Sequence, residues 1–117
     1  MITQTKLSNN TLKEYSFLSE MFRDPFFPDF LVEKCKCILL DLCKSIEENK
    51  PESLDELYEL THASTERLND LEEEFNEHDS EIETAARECL SLDIETIAKA
   101  YGYTDADLEE LVAPREW

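Results

Sequence analysis

The chain contains a single glycine, Gly102, among its 117 residues, and this scarcity limits the folds that are open to it. Tight hairpins need backbone positions with positive φ, which glycine adopts at the lowest cost, so a turn-rich β fold is disfavoured. Glycine-rich phosphate-binding loops are excluded for the same reason. Apolar residues recur instead at spacings of three and four, which is the period of a helix with one buried face. The sequence therefore predicts an all-α fold.

Six helices are predicted from capping residues, prolines and apolar spacing. Their expected first residues are Thr11, Pro28, Ser53, Ser80, Asp93 and Thr104. Three of these positions open a capping box, in which Ser or Thr is followed three residues later by Glu. The first helix should end near Arg23, because Pro25 disfavours helical geometry in the residue before it. Gly102 stands where a left-handed residue would close the fifth helix.

The second predicted helix holds the most apolar part of the chain, residues 35–43, and is expected to be the central helix of the bundle. Leu40 is the exception, since its spacing places it on the opposite side, among charged residues. The third helix carries a seam formed by Leu57, Thr61, Ser64, Leu68, Leu71 and Phe75. Residues 11–117 are thus predicted to form one compact all-helical domain, and residues 1–10 a flexible N-terminal segment.

The linker between the first two helices contains two adjacent aromatic residues, Phe26 and Phe27, flanked by prolines. Two interpretations are open: the rings plug the core at a corner of the chain, or they form a surface patch for a partner. The plug is favoured, because so large an apolar area seldom stays in water.

Acidic residues dominate the composition, with 29 Asp and Glu against 11 Lys and Arg and a formal net charge of −18. This balance argues against binding to nucleic acid or to an anionic membrane surface, both of which need clustered basic residues. The charge is uneven. Residues 1–50 carry eight acids and seven bases, a net charge of −1, whereas residues 51–117 carry 21 acids and four bases, a net charge of −17.

The acids of the second half concentrate on one side of the third helix and in the residues that follow it. The candidate partner-binding residues are Glu66, Asp70, Glu73, Glu77, Asp79, Glu81 and Glu83. They could form a solvated face that keeps the protein soluble, or a docking surface for a basic protein. Repulsion between like charges one turn apart costs only a few tenths of a kcal/mol per pair, so it does not decide between the two.

Glu59 and His62 have the Glu-x-x-His spacing of carboxylate-bridged di-metal bundles. Such a site needs a second copy of the motif, but Phe75 stands three residues before His78, the other histidine. Glu59, His62 and Glu66 are therefore minor candidates as metal ligands, and no cofactor is predicted. Motifs of serine hydrolases, zinc proteases and P-loop proteins do not occur, so no catalytic residue is assigned.

The cysteines indicate a reducing compartment rather than a disulfide framework. The four are Cys35, Cys37, Cys43 and Cys89. No two have the C-x-x-C spacing of a zinc or redox motif, and we expect small core residues and inert thiols.

The sequence has no apolar run of 18 residues, and its first ten residues lack the apolar region of a secretory signal. A cytoplasmic location is expected.

Arg87 is one of only four arginines and lies among acidic residues. Its planar guanidinium is expected to form a bidentate structural salt bridge to Glu66 or Glu83 that holds two helices together. Binding of an anionic ligand by Arg87 is the alternative.

Five stretches of the chain form a distinctive combination. They are FPDFLV at 27–32, LTHA at 60–63, DSEIETAARE at 79–88, IAKAYG at 97–102 and APREW at 113–117. Together they resemble a family of small acidic bacterial proteins known only as a domain of unknown function. The likeness spans the chain from about Tyr15. It implies a bacterial, stand-alone, cytoplasmic protein and transfers no catalytic or binding residues.

The leading functional hypothesis is a non-enzymatic protein-binding module that docks a basic protein through its acidic C-terminal half. An immunity protein or inhibitor is its most concrete form, by analogy of size and charge alone. One alternative is a small metal- or ligand-binding helical enzyme that uses His62 and nearby carboxylates. Another is a homo-oligomeric structural protein with Phe26, Phe27 and the Leu57 seam in its interface. The chain is thus expected to be a monomer or a small homo-oligomer.

Overall fold

The computed structural model describes residues 4–117, which contain α-helices and no strand. The six helices are α1 (Asn10–Lys13), α2 (Ser19–Arg23), α3 (Asp29–Asn49), α4 (Leu54–Glu77), α5 (Thr84–Ala100) and α6 (Leu108–Leu111). A short 3-10 helix, Gln4–Lys6, precedes them. In this described part of the chain no helix is both long and apolar enough to cross a membrane. The predicted all-α helical bundle is confirmed.

Helix α3 forms the centre of the bundle, as its apolar sequence predicts. Nine of its residues are buried, and it packs along α4 and against α2. Leu40 is among the buried residues, with 5% of its surface exposed. Its predicted position among charged residues is therefore wrong, because α3 is covered on more than one side. The helix ends at Asn49, where Lys50 adopts a left-handed conformation before Pro51.

Helix α4 follows its predicted seam closely. Leu57, Leu68 and Phe75 are fully buried, and the mid-seam hydroxyl residue Thr61 is buried with them. The Thr61 hydroxyl donates to the carbonyl of Tyr58 at 3.2 Å. The helix backbone thus provides the hydrogen-bond partner of this buried hydroxyl. The predicted capping box at the start of α4 is confirmed, since the Ser53 hydroxyl accepts the N–H of Glu56 at 3.2 Å.

The single helix predicted from Thr11 to Arg23 is divided into α1 and α2. Asn9, not Thr11, caps α1, and its side chain accepts the N–H of Leu12 at 3.1 Å. The Gln4 amide donates to the carbonyls of Leu12 and Tyr15 at 2.8 and 2.6 Å. Carbonyls that a continuous helix would have used are thereby occupied by a distant side chain. The chain then turns at Leu18, which adopts a positive φ of 55°.

Helix α5 is continuous where two helices were predicted. Asp93 does not cap a helix but lies inside α5, with only 3% of its surface exposed. Ser80 does not cap α5 either, and the helix begins four residues later with Glu83 as its cap. The chain leaves α4 through a left-handed residue, Asp79, and the N–H of Ser80 is used to close α4 on the carbonyl of Phe75 at 2.9 Å.

The C-terminal turn depends on Gly102, as predicted. Its φ is +95°, and the N–H of Tyr103 donates to the carbonyl of Ala98 at 3.0 Å, which completes a Schellman motif at the end of α5. The predicted cap Thr104 is wrong. Asp107 caps α6 instead, and its side chain accepts the N–H of Glu109 at 3.2 Å.

The residues before α1 pack onto the domain. Leu7 is 1% exposed, and the backbone N–H groups of Ser8 and Asn9 donate to the carboxylate of Glu47 on α3. An apolar anchor and a carboxylate thus hold residues 7–9 against the domain, whereas the flexibility predicted for residues 1–10 stays a prediction. Residues 1–3 of that segment lie outside the described residues.

Candidate functional site

The acidic residues predicted to bind a partner form one surface on the C-terminal half of α4 and the segment after it. We call this the acidic surface: Glu66, Asp70, Glu73, Glu77, Asp79, Glu81 and Glu83. Six of them are exposed, and Glu83 is half-buried because its carboxylate caps α5. Within residues 4–117 none of the seven has a basic side chain within 4.0 Å. The negative charge of this surface is therefore uncompensated.

Two basic residues of α3 and α4 neutralise other acids. Lys34 of α3 pairs with Glu74 of α4 at 2.7 Å, and Arg67 of α4 pairs with Asp41 of α3 at 3.0 Å. Both bridges join α3 to α4. None of the seven carboxylates of the acidic surface takes part in either bridge.

An exposed aromatic patch lies at the same end of α4. It consists of Phe26, Phe30 and His78, with Phe26 and Phe30 exposed to 42% and 48%. The rings of Phe30 and His78 meet edge to face with centroids 4.9 Å apart. Beneath them Phe27 is buried against Phe75 of α4, with centroids 6.4 Å apart. This aromatic patch is thus fixed to the helix end that carries Glu77.

Each of the two interpretations of the aromatic linker holds for one of its two rings. Phe27 plugs the core, whereas Phe26 remains at the surface. Sequence reasoning missed Phe30, although it falls outside the buried stripe of α3 that begins with Leu31 and Cys35. Because Phe27 and Leu57 are 2% and 0% exposed, they are not available for the predicted homo-oligomer interface.

The metal candidates are not brought together. The Nε2 of His62 lies 2.6 Å from the carbonyl of Glu110, so this nitrogen carries a hydrogen and joins α4 to α6. Its ring stacks on Tyr58 at 6.2 Å. Between residues 4 and 117 no three His, Cys, Asp or Glu side chains are grouped to hold a metal ion, and Glu59 and Glu66 make no such set with His62.

The cysteines are free thiols, and burial keeps three of them protonated at neutral pH. Burial raises the pKa of Cys35 and of Cys43 to about 12. It also raises the pKa of the half-buried Cys89 to about 11, with the charge of Asp93 adding to the effect. Nucleophilic catalysis requires the thiolate, so these three residues lack the activation that such a role demands.

Asp93 is the most unusual titratable group in the interior. It accepts hydrogen bonds from the Tyr15 hydroxyl at 2.6 Å and from the N–H of Leu18 at 2.7 Å. Burial raises the pKa of Asp93, although both hydrogen bonds oppose the shift. Burial and the adjacent Asp93 raise the pKa of Tyr15 to about 12. The carboxylate therefore fixes the chain between α1 and α2 against α5, which is a structural role.

Arg87 does not form the predicted salt bridge. No carboxylate of residues 4–117 lies within 4.0 Å of its guanidinium nitrogens, so neither Glu66 nor Glu83 pairs with it. Among residues 4–117 its buried Nε has no hydrogen-bond partner. Arg87 lines a cavity together with Arg115 of the C-terminal segment.

The match to a known family covers almost the whole chain, residues 11–117. The chain belongs to the family of unknown function DUF5713. The resemblance seen in the sequence is thus confirmed. No curated protein and no solved structure matches the chain.

The match to DUF5713 includes every residue of the acidic surface and the aromatic patch. It also includes Arg87 and Arg115, but not Gln4, Leu7 or Asn9, which hold the beginning of the domain in place. Since DUF5713 is a family of unknown function, the roles of these residues rest on their geometry and charge.

Proposed function

We propose that this DUF5713 protein is a non-enzymatic protein-binding module that docks a basic partner through the acidic surface and the adjacent aromatic patch. The observation that carries the proposal is the position of exposed Phe26 and Phe30 beside uncompensated carboxylates at one end of α4. Protein interfaces characteristically combine aromatic anchors with a charged rim. An inhibitor or immunity protein that neutralises a basic target is the most concrete form of this function.

The acidic surface attracts a basic partner toward the docking site. Uncompensated carboxylates attract a basic protein over roughly one Debye length, about 8 Å at physiological ionic strength. Such complementarity raises the association rate and selects against acidic partners more than it raises affinity. Binding through this surface should therefore weaken steeply as salt is added.

The aromatic patch supplies affinity that salt does not remove. About half of the surface of Phe26 and Phe30 remains in water, and a partner that covers it gains the hydrophobic free energy of that area. Phe26 packs edge to face on Phe27, and Phe30 packs in the same way on His78, so little conformational freedom is lost on binding. A solvation surface alone would not need exposed rings.

The proposal is tested by capture from a lysate of the source cells with five immobilised proteins, eluted in a salt gradient and identified by mass spectrometry. The wild-type protein is compared with E73K/E77K/E81K and with F26S/F30S. The matched control, E14K/E59K/D105K, makes the same change in charge at exposed acids that form no ion pair among residues 4–117. L92S is the control for loss of an exposed apolar side chain, since Leu92 is 56% exposed.

We expect the wild type and both controls to retain a basic protein. E73K/E77K/E81K should fail to retain it, and F26S/F30S should release it at lower salt. Purified mixing of the two proteins should reproduce this order of affinities. Equal retention by the wild type and both site variants would refute docking at this surface.

A further inference from the structure

A cavity of about 370 Å³ lies between α5 and the C-terminal part of the chain. Arg87, Glu88, Ser91 and Leu92 of α5 line one side, and Leu108, Glu109 and Arg115 line the other. Its volume is at the lower end of the range for small-molecule sites. None of these residues belongs to the acidic surface or the aromatic patch.

This cavity holds half of the basic residues in the most acidic part of the protein. Residues 51–117 hold only four basic residues, and two of them line the cavity. The other two are neutralised, since Arg67 pairs with Asp41 and Lys99 with Glu95. Arg115 has one distant carboxylate, Glu109, at 3.9 Å, and Arg87 has none among residues 4–117.

Two polar atoms at this cavity lack partners within the described chain. Ser91 is 5% exposed and its Oγ is shielded from solvent, and the Nε of Arg87 is buried in the same way. Buried donors without an acceptor destabilise a protein by about 1–3 kcal/mol, so native structures seldom keep them without a reason. The described part of the chain therefore leaves two of the residues that line the cavity short of hydrogen-bond acceptors.

We infer that the cavity binds a small organic monocarboxylate. A guanidinium presents a planar pair of donors that matches the two oxygens of a carboxylate. Arg87, Arg115 and Ser91 hold the carboxylate, and the apolar part of the ligand rests on Leu92 and Leu108. A single negative charge fits best, because Glu88 and Glu109 line the same cavity and would repel a more highly charged anion.

The exposure of Leu92 supports an apolar part of the ligand. It is one of three large apolar side chains exposed among residues 4–117, and the other two belong to the aromatic patch. A ligand seated beside Leu92 would remove part of this surface from water, which adds hydrophobic stabilisation to the polar contacts.

The protein carries an intrinsic reporter for this site. Trp117 is the only tryptophan, and the guanidinium carbon of Arg115 lies 5.9 Å from its ring centroid. A carboxylate that engages Arg115 changes the electrostatic surroundings of the indole. Tryptophan fluorescence should therefore respond to binding, in parallel with the NMR signal of the Arg87 Nε–H.

The test is a titration of the full chain with sodium benzoate, followed by ¹H–¹⁵N NMR and by Trp117 fluorescence. Benzamide is the neutral control of the same shape, and inorganic phosphate is the control for a more highly charged anion. We expect saturable shifts at residues 87–92 and 108–115 with a Kd of about 1–10 mM, which is typical of so small a ligand. Benzamide and phosphate should bind at least about tenfold more weakly.

Variants then assign the binding to named groups. R87Q should weaken benzoate binding about tenfold or more, and R87K should do so as well, because lysine keeps the charge but loses the planar fork. S91A should weaken it several-fold, while R23Q, which removes an arginine paired with Glu20, should leave it unchanged. Dispersed amide spectra establish that each variant is folded. If R87Q does not fold, R87K and S91A test the assigned contacts.

Several outcomes would overturn the proposal. Absence of saturable shifts up to about 50 mM benzoate excludes the site as described. Equal binding of benzamide reduces it to an apolar cavity, and tighter binding of phosphate contradicts the preference for a monocarboxylate. Unchanged affinity in both R87K and S91A refutes the assigned contacts. The E73K/E77K/E81K variant should bind benzoate normally, so failure of the docking surface and failure of this site are distinguishable.

Discussion

Two carboxylates, the buried Asp93 and the partly buried Glu47, have surroundings that move their pKa values in opposite directions. Burial raises the pKa of Asp93, and the hydrogen bonds from Tyr15 and Leu18 only reduce the shift. At Glu47 burial also acts to raise the pKa. There, however, hydrogen bonds from the Tyr101 hydroxyl and from the backbone of Ser8 and Asn9 outweigh burial and lower the pKa. The two residues should therefore give stability opposite dependences on pH.

For Asp93 the folded protein holds the proton more tightly than the unfolded chain. Its contribution to the free energy of unfolding thus falls as pH rises from about 4, the unfolded value, through the raised pKa. D93N removes the charge and keeps both contacts, since its oxygen accepts from Leu18 and its amide donates to the Tyr15 hydroxyl. We expect a smaller loss of stability between pH 4 and pH 7 in D93N than in the wild type, measured by urea unfolding.

D93A is the companion variant, because it leaves the Leu18 N–H and the Tyr15 hydroxyl without an acceptor. It should lower the free energy of unfolding by about 2–3 kcal/mol at every pH where the protein is folded. Identical pH dependence in D93N and the wild type would show that Asp93 is not the group responsible.

Glu47 contributes stability that is complete above its unfolded pKa, near 4.5, and is lost as pH falls through the lowered value. In the wild type, backbone N–H groups donate to the Glu47 carboxylate. E47Q replaces this carboxylate with a neutral amide. It should lower the free energy of unfolding by about 1–2 kcal/mol at pH 7, and the difference from the wild type should shrink at pH 3. Faster hydrogen exchange at Ser8 and Asn9 would locate the effect, and a difference that grew in acid would contradict it.

At the scale of elements, two copies of the Ser-x-x-Glu pattern behave differently. Ser53 caps α4, whereas the hydroxyl of Ser80 is buried without a partner among residues 4–117. S53A should cost about 1 kcal/mol of unfolding free energy, and S80A should be neutral or slightly stabilising. Thermal and urea unfolding of the two variants provides the measurement. A comparable loss in both would mean that Ser80 has a capping role after all.

The elements that the sequence predicts well are those decided by neighbours in the chain. The bounds of α3 and α4 follow from an apolar stripe, a proline and a local cap, and the end of α5 follows from Gly102. The division between α1 and α2 depends instead on side chains outside both helices. Gln4 occupies two backbone carbonyls near the end of α1. Asp93 accepts from Leu18 and Tyr15, which lie 75 and 78 positions away. Spacing within a window of the sequence carries no signal for such contacts.

The candidate sites show the same limit. The acidic surface is predictable, because one helix and the segment after it carry nearly all of its charge. The cavity was not predictable as a site, since it joins Arg87 to Arg115 across 28 positions of the chain. The sequence pattern singled out only Arg87. The aromatic patch joins Phe30 to His78, which are 48 positions apart.

At the scale of the whole molecule, a net charge of −18 destabilises the compact state through self-repulsion. If the acidic surface exists for docking, removing its charge should stabilise the fold while it abolishes binding. We expect E73K/E77K/E81K to raise the free energy of unfolding by about 0.5–1.5 kcal/mol at low ionic strength, through the loss of like-charge repulsion. The gain should largely disappear in about 0.5 M salt, which screens the repulsion.

The control E14K/E59K/D105K makes the same change in net charge, so it reports the general effect of reducing that charge. Its residues are scattered, and the gain in stability should be smaller than for the reversals at the acidic surface. A loss of stability in E73K/E77K/E81K at low salt would mean that these carboxylates hold the fold together, and their exposure would then need no partner. A gain in stability together with loss of the basic partner identifies a surface whose charge serves binding at the expense of the fold.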